Sequence, residues 1–187
     1  MFQHEADIVG MAPIDAYICV GWFSEDATYR PLAERFADNL NDYGIPFHLY
    51  AKPKLGNGWD TRRKPTVALE ALDAYPGKTI ILMDVDCRVY GDITPLHDMP
   101  GDVGVSLRAR PLMRRGQPRP RQAVIRVSSR VVVFRPFAGA VAFAKEWQRL
   151  CALAGPGGDE GPMLWAYLNC PWVAYHQILP AYAAIAE

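Results

Sequence analysis

Two carboxylates one residue apart, Asp84-Val85-Asp86, follow the strongest strand signal in the chain, Thr79-Ile80-Ile81-Leu82-Met83. Residues two apart on an extended backbone point the same way, so both acids can face one point in space. The apolar run before them does not alternate, as expected of a strand covered on both faces in a mainly parallel sheet. The carboxyl edge of such a sheet is where α/β proteins bind ligands. Two like charges so close are unfavourable unless protonated or bridged by a cation. A hard divalent ion, Mg²⁺ or Mn²⁺, satisfies them with oxygen ligands and keeps positions free for substrate phosphates. The plainer reading is a pair of exposed turn acids, which Asp often supplies after strands. The buried run immediately before them weighs against it.

The rest of the chain alternates strands with helices. Ala16-Tyr17-Ile18-Cys19-Val20, within Asp15 to Trp22, predicts a first buried strand. Thr28 can cap the next helix with Pro31 in its first turn, and Leu32, Ala33, Phe36, Ala37, Leu40 and Tyr43 recur at helical spacing up to Gly44. Phe47 to Tyr50 is a second strand, followed by a Gly- and Lys-rich loop ending in Trp59-Asp60-Thr61-Arg62-Arg63-Lys64. Pro65 suits a helix start, with Ala68, Ala71, Leu72 and Tyr75 as its apolar stripe and Pro76-Gly77 as its stop. Val103 to Leu107 and Val124 to Phe134 supply further strands, and helices run from Phe137 to about Leu153 and from about Asp159 to Leu168. This order predicts a doubly wound α/β sandwich.

At 187 residues, half of them hydrophobic, the chain fits one domain with a sizeable core. No apolar run approaches the ~18 residues of a membrane span. The first ten residues carry Glu5 and Asp7 and no basic start, so the expectation is a cytoplasmic protein with neither span nor secretory signal. Cys19, Cys87, Cys151 and Cys170 are scattered and form no C-x-x-C pair, so they read as buried, reduced thiols.

The formal net charge of zero hides an asymmetry. Nine Arg and one Lys, with no acid, fall between Val103 and Lys145, so that segment carries +10 and the remainder −10. Arg108, Arg110, Arg114, Arg115, Arg119 and Arg121 are interleaved with Pro111, Gly116, Pro118 and Pro120, which predicts an exposed loop over about 108–123. Such a loop suits a phosphate-bearing ligand, or else it simply solvates a face of an acidic body. No aromatic residue lies between Ser106 and Val133, so the stacking platform of a single-strand nucleic-acid binder is absent there.

Arg63-Lys64-Pro65-Thr66, a short helix, Ile80 to Cys87 with its D-x-D, and Gly91-Asp92-Ile93 together resemble glycosyltransferases of the GT-A fold, the nucleotide-diphospho-sugar transferase superfamily. Weaker matches are Val131-Val132-Val133-Phe134 before a helix with Trp147, Gly158-Asp159-Glu160 opening a helix, and Leu179-Pro180-Ala181-Tyr182. The resemblance runs from about Tyr17 to Tyr182 and implies a single GT-A-like domain over residues 1–187. It implies a metal-dependent transfer of sugar from a nucleotide-diphosphate donor, a uridine diphosphate sugar, to an acceptor the sequence does not name. Asp86 would bind the metal, and Asp84 would contact the ribose or the metal. Lys64 would contact the phosphates, and Val20, Gly21, Trp22 and Tyr29 would line the nucleotide site. Asp159 would serve as a general base in an inverting enzyme or orient the sugar in a retaining one. Arg130 stands where the family has a small residue, and His176 is the one late His available as a metal ligand.

Two other readings compete. A haloacid-dehalogenase-like phosphatase also carries a strand and D-x-D, but near the N-terminus, with Thr or Val where Arg88 stands here. A catalytically inactive protein of the sugar-nucleotide fold would instead bind an anionic partner through its Arg segment.

Overall fold

The computed structural model describes residues 7–10, 16–53, 60–114, 117–155 and 157–182. In chain order the elements are β1 (Ile8–Val9), β2 (Tyr17–Ser24), α1 (Tyr29–Asp42), β3 (Phe47–Lys52), a 3₁₀ turn (Asp60–Arg63), α2 (Lys64–Ala74) and β4 (Thr79–Met83). There follow α3 (Thr94–His97), β5 (Val103–Arg114), β6 (Gln117–Phe134), α4 (Ala138–Leu153), α5 (Glu160–Asn169), β7 (Tyr175–Gln177) and a second 3₁₀ turn (Pro180–Tyr182).

The strands form one seven-stranded sheet in the order β1-β3-β2-β4-β6-β5-β7. β3, β4, β5 and β7 run with β2, while β1 and β6 run against it, so the sheet is mixed but mainly parallel. Both faces are covered. Ile80 and Leu82 of β4 pack with Ala68 of α2, Trp147 of α4 and Met163 of α5, while Ile81 and Met83 pack with Phe36 and Leu40 of α1 on the other face. That two-sided burial is why the Thr79–Met83 run is apolar without alternation.

The helix starts differ from expectation in one respect. Thr28 makes no side-chain cap; Asp26 Oδ1 instead accepts the backbone N–H groups of Thr28 and Tyr29, both at 2.9 Å. Pro65 does sit in the first turn of α2. The Gly- and Lys-rich stretch over 54–59 lies outside the described residues.

The larger correction concerns the Arg/Pro segment. Its backbone is not a loop but a β5–β6 hairpin, paired from Val103↔Phe134 out to Arg114↔Gln117 with register shifts between Gly104/Ser106 and Pro111/Leu112. β4 pairs with β6 only over 131–134, and β7 with β5 only over 103–105, so beyond these the hairpin is a two-stranded ribbon. Prolines are tolerated there because each strand of a ribbon has an edge that needs no ladder donor. Two short strands, β1 and β7, and the single-turn α3 carry too few residues to show a period in the sequence.

Candidate functional site

β4 ends at Met83, and the backbone turns at once: the Cys87 N–H donates to Asp84 O at 2.9 Å. The two acids therefore do not lie on an extended strand as expected. Asp84 is half-buried and Asp86 is exposed in the turn. The Asp84 N–H donates to Arg130 O of β6 at 3.0 Å, which ties the turn to the root of the ribbon.

Lys64, the first residue of α2, fills the centre of the site. Its Nζ lies 2.7 and 3.0 Å from the two oxygens of Asp84. It also donates to Ser129 Oγ at 2.9 Å and to Ser129 O at 3.3 Å, and pairs with Asp159 Oδ2 at 3.5 Å. Burial alone would pull this ammonium down, but Asp84 and Asp159 outweigh it and Lys64 titrates above its ordinary range. For Asp84, burial dominates over the opposing Lys64 charge and pushes the carboxyl up to about 6, helped by the negative charges of Asp86 and Asp159. A cation at a helix N-terminus opposes the helix dipole, so these carboxylates, not the helix, hold Lys64 charged.

Asp159 precedes α5 and makes no side-chain cap; its carboxylate turns inward to Lys64 and is 3% exposed as a residue. Its carbonyl oxygen accepts Trp147 Nε1–H at 3.1 Å and the Met163 N–H at 2.9 Å. It is thus a buried partner of Lys64 and not an open acid facing an acceptor. Sequence reading missed two residues that build this arrangement. Ser129 carries no local signal. Arg62 sits in a conspicuous basic run; its Nε donates to Gly157 O at 2.9 Å and its Nη1 to Ala154 O at 2.8 Å, with Nη2 on Gly155 O. It thereby fixes the segment leading from α4 to Asp159.

Several buried polar atoms have no hydrogen-bond partner among the described residues, and four of them, Thr61 Oγ1, Arg63 Nε, Ser128 Oγ and Asp159 Oδ2, belong to these same segments. Such atoms are costly unless something pairs with them.

The remaining candidates fall into two groups. Gly21 sits on β2 where an added Cβ would lie 3.0 Å from Met83 O and 3.3 Å from Val85 Cγ1, so a side chain there would push the turn after β4 outward. Val20 is fully buried between β3 and β4 and presents no surface to a ligand, against expectation. Trp22 is half-buried against the α2 side of the sheet, and Tyr29 is exposed at the start of α1. His176 lies on β7 opposite Gly104, three strands from β4 and roughly 14 Å across the sheet at ~4.8 Å per strand. It is not a neighbour of Asp86.

Among the described residues no three His, Cys, Asp or Glu side chains gather closely enough to cage a cation. With both Asp84 oxygens on Lys64, Asp86 is the open carboxylate. That leaves one open carboxylate, so the expected pairing of Asp84 and Asp86 on a metal is not formed, and a hard ion at Asp86 would take the rest of its oxygen ligands from substrate phosphate and water. All four cysteines are free; three are buried and Cys87 is half-exposed.

No protein-family model matches the chain, and no curated protein matches it in sequence. Among solved structures, the fold is similar to that of a glycosyltransferase involved in the glycosylation of the major capsid of PBCV-1, with a TM-score of 0.53 and 13% identity over 88% of this chain and 82% of that one. The glycosyltransferase GlyE of Streptococcus pneumoniae TIGR4 aligns at a TM-score of 0.45 and 11% identity, over 89% of this chain and 46% of that one.

Proposed function

We propose that this chain is a glycosyltransferase that draws a sugar from a nucleoside diphosphate donor, a uridine diphosphate sugar, with the diphosphate seated at the Lys64–Asp84–Asp159 cluster. The observation that carries the reading is this cluster itself. A buried ammonium, the carboxylates of Asp84 and Asp159 and the N-termini of α2 and α5 meet at the carboxyl edge beside β4. Helix N-termini attract a phosphate-bearing ligand. The fold likeness to a glycosyltransferase agrees with it.

Each residue then has a task. Lys64, buried and bonded to Asp84, Ser129 and Asp159, offsets the charge of the two carboxylates and fixes the turn that carries Asp86. Asp86, exposed in the turn, would share a Mg²⁺ or Mn²⁺ with the diphosphate, and the ion when bound supplies charge that stabilises the departing nucleoside diphosphate. Gly21 lets the turn after β4 approach β2. Asp159 acts through Lys64, as a positioning residue.

Calorimetric titration of uridine diphosphate, with and without Mn²⁺, tests this on the parent and on Asp86→Asn. Binding that needs the ion and is lost in the variant is expected. Binding that ignores both the ion and the substitution would sink the metal assignment. No binding of any nucleoside diphosphate would leave a sugar-nucleotide fold without its ligand.

A further inference from the structure

The β5–β6 ribbon leaves the sheet beside the site, and the two faces of its root differ. Cross-strand partners share a side, and the side alternates along each strand. Val127 belongs to the core cluster under α5, and Ser129 Oγ reaches Lys64, so Ser128 between them faces the other way, toward the α1 side of the sheet. The register places Ser106 directly across from it, and Arg108 and Arg126 as the next pair outward on the same face. Two serines and two arginines thus make a patch roughly 5 Å by 7 Å between Cβ positions.

The patch is polar where the rest of the sheet face is apolar. Ser106 and Ser128 are 4% and 1% exposed, and Ser128 Oγ has no hydrogen-bond partner among the described residues. A buried hydroxyl in that state is costly unless a partner arrives. Arg126 is exposed and Arg108 half-buried. Placed directly opposite each other, in a segment without one acid from Val103 to Lys145, they concentrate positive charge on this face. The patch also borders the turn that carries Asp86. Cys87 packs against the core cluster on the α1 side, and its Sγ lies 3.9 Å from Arg130 O, two residues along β6 from Ser128.

We propose that Ser106, Ser128, Arg108 and Arg126 form a subsite for the phosphate group of a phosphorylated sugar acceptor. Arginine recognises phosphate through paired N–H groups, and two arginines match the charge of a phosphomonoester, about −2 at neutral pH. A serine hydroxyl adds a further donor. A carboxylate carries only half that charge and suits the patch less well. The donor diphosphate is assigned to the other side of β6, where Lys64 and the N-terminus of α2 lie, so a group held on this side belongs to the second substrate. The acceptor assignment rests on the glycosyltransferase reading; the phosphate subsite itself does not.

Amide NMR spectra of the full chain, titrated with glucose 6-phosphate, glucose and glucuronate at constant ionic strength, test the proposal. Glucose 6-phosphate is expected to shift the amides of residues 106–108 and 126–128 saturably, with saturating uridine diphosphate present as in its absence. Glucose should leave them unmoved, and glucuronate should bind more weakly. Arg126→Gln should weaken glucose 6-phosphate binding roughly tenfold, the loss of one charge-assisted pair. Ser128→Ala should weaken it less, and Arg149→Gln, on the exposed side of α4, should leave it unchanged. Amide spectra that match the parent away from the patch confirm that the variants fold. Amides that do not move, or a parent affinity retained by Arg126→Gln, overturn the subsite. Displacement by uridine diphosphate gives the face to the donor and overturns the acceptor assignment. Glucuronate bound as tightly as glucose 6-phosphate overturns the choice of phosphate. Glucose 6-phosphate binding that persists in a chain unable to bind any nucleoside diphosphate upholds the subsite and sinks the donor reading, so the two failures are told apart.

Discussion

The two ends of α2 carry two buried polar clusters that differ in one respect. At its N-terminal end Lys64 binds Asp84, Ser129 and Asp159, with Asp84 partly open and Asp159 Oδ2 lacking a hydrogen bond among the described residues. At its C-terminal end Tyr75 OH lies 2.7 Å from His48 Nδ1, His48 Nε2 lies 2.9 Å from Asp7 Oδ2, and Asp7 Oδ1 accepts the Ala51 N–H at 2.7 Å. His48 also stacks on Tyr50 with ring centroids 3.8 Å apart. The Tyr75–His48–Asp7 chain is closed: each of its polar atoms has a partner and the His48 and Asp7 side chains are 4% and 3% exposed, while Tyr50 OH beside it has no hydrogen-bond partner among the described residues. A closed network fixes structure, here by pinning β1 and α2 to β3. An open one keeps acceptors and charge for something that arrives later. Eleven residues of helix, roughly 16 Å at 1.5 Å per residue, separate a device for holding the fold from a device for holding a ligand.

The largest effect should come from Lys64→Met. It leaves Asp84 and Asp159 facing each other without their cation, and removing one partner of a buried ionic cluster costs about 3–5 kcal/mol. Urea unfolding should show that loss at pH 7, and less of it at pH 4.5, where Asp84 is protonated. An unchanged midpoint would mean that Lys64 is not the centre of the site.

Asp84→Asn separates charge from packing through pH. The native carboxyl titrates at about 6 against an ordinary 3.8, so the native state holds the proton more tightly than the unfolded chain. The contribution is therefore fully present below about pH 3.8 and is lost as pH rises through about 6, a change on the order of 2–3 kcal/mol. In the Asn variant that slope should vanish from the stability curve, and metal-dependent uridine diphosphate binding should fall with it. A parent curve that is flat between pH 4 and 7 would contradict the burial of Asp84.

Much of this is legible in the sequence, for identifiable reasons. The strand before Asp84 announced itself because both faces are buried, and α1, α2, α4 and α5 because each presents an apolar stripe to one sheet. What failed was anything set by partners far apart in the chain. Asp7, His48 and Tyr75 are 41 and 27 residues apart along their contacts, and no local pattern relates them. The helix-start position of Asp159 suggested a cap, since an acid there is favourable alone; only Lys64, brought in by α2, turns it inward. The ribbon was hidden by its prolines, which read as a loop unless the strand edge they occupy is known to be free.

Tyr75→Phe breaks the closed cluster with little change in shape. It leaves His48 Nδ1 buried without a partner, which costs about 1–2 kcal/mol. Uridine diphosphate affinity should not change, because the substitution lies at the far end of α2. A stability loss together with unchanged binding would sharpen the distinction between the two ends. Equal losses in both readouts would erase it.

The smallest effect belongs to a cluster on the surface. Glu146 on α4 accepts Arg149 Nε and Nη2, both at 2.7 Å, and Asn169 Nδ2 from the end of α5 at 2.9 Å. These hydrogen bonds hold its carboxyl down at about 2, against an ordinary 4.5. The sign is opposite to that of Asp84: the stabilisation is present above about pH 4.5 and fades as pH falls toward 2. Exposure of Arg149 to solvent screens the pair and keeps this contribution small. Glu146→Gln should lower the urea midpoint slightly at pH 7, with the difference from the parent shrinking in acid and at high salt. Because Glu146 joins α4 to the end of α5, a loss much larger than this would show that the α4–α5 pairing, which carries Asp159, depends on the surface contact more than on the buried Trp147 and Met163 beneath it.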